Sequence, residues 1–131
     1  MDIILNLSDM PSLDFEKKLE GIFSNPKPLA YHLEKAIKEL PEPIRKKIES
    51  PLDEALWGFR RAVEEAEDCE VESAIRFLTY GATESGEIYA TATGAKDLIE
   101  TLRAIKVTAV TKVIESVDTC FRSKLRRAGL E

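Results

Sequence analysis

From residue 95 to residue 127 the chain carries no proline and no internal glycine, and its apolar residues recur at alternating steps of three and four. Leu98, Leu102, Ile105, Ala109, Val113, Val117 and Cys120 make one stripe, and Ile99, Val110, Ile114 and Phe121 widen it. That period belongs to one amphipathic α-helix. At 1.5 Å per residue such a helix spans about 45–50 Å, more than so small a chain readily covers. Part of the stripe is therefore expected to pack on a second subunit or another protein, with Leu102, Ile105, Val113, Val117 and Phe121 as interface residues.

The rest of the sequence punctuates further helical stretches. Ile3 to Leu7 reads as a short edge strand or a tucked apolar arm. Ser12 before Leu13-Asp14-Phe15-Glu16 supplies a capping oxygen and first-turn acids for a short helix ending near Phe23. Asn25-Pro26-Lys27-Pro28 breaks it. A second helix, residues 29–40, puts Leu29, Leu33, Ala36, Ile37 and Leu40 on one face before Pro41-Glu42-Pro43. A short third helix covers residues 44–49, and Ser50-Pro51 opens a fourth with Asp53 and Glu54 at its positive end. In that fourth helix Leu52, Leu56, Phe59 and Val63 form the inward stripe, and Trp57 is expected to be substantially buried among them.

Val71, Ala74, Ile75 and Leu78 continue helical spacing up to Tyr80. Gly81-Ala82-Thr83-Glu84-Ser85-Gly86 then reads as a loop. Ile88-Tyr89-Ala90-Thr91-Ala92-Thr93 reads as a small β element or a poor helix, closed by Gly94. The expected fold is an all-α bundle of about five or six helices with a long C-terminal helix. With 131 residues and no repeat or flexible linker, the chain is expected to be a single domain over residues 1–131.

A formal net charge of −5 argues against coating nucleic acid by charge alone, because that mode displaces counterions with many Lys and Arg. The positive charge is local. Arg122, Lys124, Arg126 and Arg127 cluster at the end of the long helix, and Lys112 lies further back. The helix dipole favours cations there, and four of them also suit a phosphate or acidic partner. These five residues are the candidate contacts to single-stranded nucleic acid. Many Glu, Lys and Arg with few Asn or Gln lean towards a thermophile source. No apolar run reaches membrane-spanning length and no export signal is visible, so the expected location is cytoplasmic, without membrane contact. Cys69 and Cys120 read as reduced, structural side chains, with a disulfide between them as the alternative.

Catalytic signatures are thin. The acidic run from Glu64 to Glu72, with Asp97 and Glu100, has the spacing for carboxylate ligands of a metal-dependent hydrolase, but a solvated helix face explains it. His32 has no nucleophile or acid in a catalytic pattern near it in sequence. Ala90, Gly94, Leu98, Ile99 and Leu102 resemble the turn of a helix-turn-helix DNA-binding regulator, although the positions that should be buried after the glycine are Glu100 and Arg103 and a one-residue slip is needed to restore the phase. No cofactor or metal is expected.

Ala74-Ile75-Arg76-Phe77-Leu78-Thr79-Tyr80, the Ser85-Gly86 pair and the long helix that follows resemble the small-subunit family of archaeal type I-A CRISPR effector (Cascade) complexes, over residues 70–127. The resemblance implies an all-helical, non-enzymatic subunit in antiviral defence that oligomerises along the effector and supports guide RNA and target strand. The acidic balance of this chain departs from what strand support most simply demands. The reading from sequence is a non-enzymatic helical subunit of a multi-protein or nucleoprotein complex.

Overall fold

The computed structural model describes residues 10–129, and over that span the chain is five α-helices without a β-strand: α1 (Met10–Leu19), α2 (Lys27–Lys38), α3 (Glu42–Glu67), α4 (Val71–Thr91) and α5 (Lys96–Arg127). The all-α bundle and its long last helix follow the sequence pattern. The segment from Ile3 to Leu7 lies outside the described residues.

α3 and α4 form an antiparallel hairpin around a turn at Asp68, Cys69 and Glu70, and this pair is the spine of the molecule. The sequence divides α3 at Pro51, yet the helix runs through it. Proline removes one backbone hydrogen bond. Ile48 and Leu52, on either side of it, are both buried on the same face, so core packing holds the two segments in one helix.

The larger departure lies in α4. The Gly81 to Gly86 stretch is not a loop, and of the two readings of residues 88–93 the helical one holds as far as Thr91, so that both stretches lie in one continuous helix up to that residue. Small residues serve here to bring two helices together. Ala74, Gly81 and Ser85 on α4 are buried, as are Ala55, Gly58, Ala62 and Ala66 on α3. A Cβ on Gly58 would stand 3.0 Å from the Gly81 nitrogen and from the Phe77 carbonyl oxygen. The hydroxyls that suggest a loop donate back into the helix instead: Thr79 to the Ile75 carbonyl, Thr83 to that of Thr79, and buried Ser85 to that of Gly81 at 2.9 Å. Ile88 and Ala92, one turn apart, close the buried face at the far end.

α5 returns along α3, with α2 and α4 also against it, and α1 covers α2 and the start of the α3 face. The core is one continuous cluster that includes Phe15, Leu33, Leu56, Phe59, Ile88, Leu98, Leu102 and Ile105. At the α3–α4 turn the backbone makes both reverse hydrogen bonds of a Schellman motif, from Glu70 N–H to the Glu65 carbonyl at 2.8 Å and from Cys69 N–H to that of Ala66 at 3.0 Å. Cys69 occupies the left-handed position, φ 62°, where glycine is usual. The two cysteines, read from sequence as reduced, are joined: Cys69 and Cys120 form a disulfide that ties α5 to this turn across 51 residues. Such bonds characterise oxidising compartments and the intracellular proteins of hyperthermophiles.

Candidate functional site

α5 carries two apolar stripes where the sequence reads as one wide one. The inward stripe is Leu98, Leu102, Ile105, Ala109, Val113 and Cys120, all buried. Three of the residues predicted to form an interface, Leu102, Ile105 and Val113, therefore belong to this chain's own core. The other two, Val117 and Phe121, belong to a second, outward row. There Val107 is 61% exposed, Ile114 63% and Phe121 59%, with Val110 half-buried beside them and Val117 half-buried at the edge of the row, where it also packs against the core.

The outward row keeps a seven-residue beat. Val107, Ile114 and Phe121 repeat at that spacing, Val110 and Val117 sit three residues after the first two, and the pattern is the alternating three-and-four seam of a helix that packs along another helix. Polar ends bracket it: Glu100 and Arg103 before, Lys124 after, all exposed. Arg103 rests over the Tyr89 ring at 5.7 Å. Burial raises the Tyr89 hydroxyl above the ordinary tyrosine range, and the Arg103 charge opposes that.

The predicted nucleic-acid contacts are dispersed. Lys112 is half-buried, whereas Arg122, Lys124, Arg126 and Arg127 are exposed on the turns of α5 beyond the disulfide. Arg122 is engaged with Asp118 at 3.0 Å, one turn back on the same helix. Three of the four belong to the last turn, where cations complement the helix dipole.

A second surface, which sequence reading missed, lies on the α3–α4 hairpin. Trp57 is 42% exposed rather than buried, because it sits outside the inward stripe of α3 and leans across the hairpin. Its ring meets Phe77 edge-on at 5.2 Å and Tyr80 at 5.9 Å. The close glycine crossing one residue away allows this, and the spacing Trp57-Gly58 against Phe77 and Gly81 was the available signal. Arg61 lies over the Phe77 ring at 5.0 Å and also pairs with Glu64 and Glu65. Tyr80 donates its hydroxyl to the Glu54 carboxylate. That hydrogen bond, with lesser help from burial and from the charges of Glu54 and Glu84, pushes the Tyr80 hydroxyl up to about 12.

No protein-family model matches this chain, and no curated protein or solved structure matches it significantly. Among the described residues no group of three or more His, Cys, Asp or Glu is placed to hold a metal ion, so Glu64, Glu67 and Glu100 are not assembled as the hydrolase reading requires. Glu64 instead faces Arg61. Glu100 and Arg103, inward in the unshifted helix-turn-helix phase, are exposed, whereas one residue earlier Leu102 is buried and Ile99 half-buried, as the phase slipped by one residue places them. An open depression of about 430 Å³ between the α2–α3 and α4–α5 turns has Glu39, Lys96 and Asp97 as its only charged lining residues. None of these described helices is long and apolar enough to cross a membrane.

Proposed function

We propose that this protein is a non-enzymatic assembly subunit that works by holding another protein along the outward face of α5. The observation that carries the reading is the row Val107, Ile114 and Phe121, each near three-fifths exposed at seven-residue spacing on a helix whose adjoining face already fills the core. Isolated surface apolar residues are common, but a contiguous periodic row marks a contact surface. An effector complex of the kind implied by the resemblance over residues 70–127 is one setting for such a subunit.

Native mass spectrometry of the protein purified from its own cells tests this. The expected spectrum contains species heavier than one chain, whether homomeric or with other proteins, and Ile114→Glu depletes them. A single-chain mass throughout overturns the proposal. Phosphate contact through Arg126 and Arg127 would add co-purifying nucleic acid, lost on raising the salt.

A further inference from the structure

We infer that the occupant of the α5 face is a second copy of the same helix, laid antiparallel about a two-fold axis near Lys112; this rests on the assembly reading and specifies its partner. The seam consists of Glu100, Arg103, Val107, Val110, Ile114, Val117, Phe121 and Lys124, each exposed or half-buried. Antiparallel pairing is self-complementary in one register. Val107 meets Val117 of the second copy, Val110 meets Ile114, Arg103 meets Phe121, and Glu100 meets Lys124. The two-fold axis then repeats every layer, as an isologous interface requires.

The polar ends choose between arrangements. A parallel pair stacks Glu100 on Glu100, Arg103 on Arg103 and Lys124 on Lys124, three like-charge layers that oppose association. Sliding the antiparallel pair by seven residues in one direction sets Lys124 against Val107. Sliding it in the other sets Glu100 against Val117 and Arg103 against Ile114. Only the central register joins apolar to apolar and acid to base. It also places the Phe121 ring of one copy against the Arg103 guanidinium of the other, which already lies over Tyr89, so the cation is sandwiched between two rings. Lys106 and Asp118 lie on the flanks of the same seam, so the pair of helices is edged by both signs of charge.

Sedimentation velocity over a concentration series, with the full chain and no reductant, tests the inference. The wild type is expected to pass from monomer to dimer as concentration rises. Ile114→Glu, at a largely exposed position, should weaken dimerisation at least about tenfold while far-UV circular dichroism stays unchanged. Glu100→Lys and Lys124→Glu should each weaken it roughly threefold to tenfold, and the double reversal should return it to within about twofold of wild type. Restoration by the double reversal is the signature of this register, since in a parallel pair it would leave the like-charge layers in place. A wild type that stays monomeric at millimolar concentration, an Ile114→Glu dimer as tight as wild type, or a double reversal weaker than either single change overturns the inference. A monomeric wild type that still appears in heavier complexes from its own cells leaves the assembly reading standing, whereas a single-chain mass in both experiments ends both.

Discussion

Gly58 on α3 and Gly81 on α4 face each other so closely that a Cβ on Gly81 would stand 2.7 Å from the Phe59 ring, and one on Gly58 would stand 3.0 Å from the Gly81 nitrogen. Neither neighbour yields cheaply, since Phe59 is fully buried and the other atom is backbone. The pair is the reason the hairpin packs tightly enough to serve as the scaffold for α5.

Gly81→Ala is accordingly expected to destabilise the protein by about 1–3 kcal/mol, the overpacking cost exceeding the gain in helix propensity. Gly86 lies in the same helix, and a Cβ there would meet nothing within 4 Å, so Gly86→Ala is expected to stabilise by about 0.5–1 kcal/mol. Chemical denaturation of the two variants checks both signs, and equal effects at the two sites would contradict the close crossing.

The Cys69–Cys120 bond closes a long loop, so Cys120→Ala should cost roughly 2–4 kcal/mol in the absence of reductant. Cys69 adds a second term because it holds a left-handed backbone, φ 62°. Under reducing conditions Cys69→Gly is expected to be more stable than Cys69→Ala by about 1 kcal/mol. Thermal unfolding with and without reductant reads both. A wild type indifferent to reductant would show that the bond does not stabilise the fold.

The Tyr80 hydroxyl, raised from 10.0 to about 12 by its hydrogen bond to Glu54, ties α4 to α3 only while it is protonated. A folded value above the unfolded one means that its contribution is fully present below pH 10 and is lost as the pH rises through about 12. Alkaline titration of tyrosinate absorbance is expected to show a late-ionising tyrosine that Tyr80→Phe removes. The stability difference between wild type and Tyr80→Phe should be constant at neutral pH and shrink in the alkaline range.

What the sequence made legible follows from periodicity. α5 and α2 fall within two residues of where their apolar spacing places them, since nothing competes with the helical pattern there. The pattern failed where local chemistry has two uses. Glycine, serine and threonine between Gly81 and Gly86 signal a loop in isolation, but against the small residues of α3 they make a close helix crossing. Pro51 signals a helix start, but Ile48 and Leu52 hold both sides to one core face. On α5 the inward and outward rows are adjacent on the helical wheel, so spacing alone merges them, and only burial separates Leu102, Ile105 and Val113 from Val107, Ile114 and Phe121. The disulfide stands in the sequence only as an alternative, because its halves are 51 residues apart and pairing depends on how α5 lies over the α3–α4 turn.

The central claim, that the outward row of α5 is the surface by which this protein meets its like, is tested most directly by backbone amide NMR over a dilution series. The account predicts that the resonances of Val107, Val110, Ile114, Val117 and Phe121 move together with concentration while those of α1 and α2 hold still. Stationary α5 resonances, or movement confined to the Trp57, Phe77 and Tyr80 face of the hairpin, would contradict it.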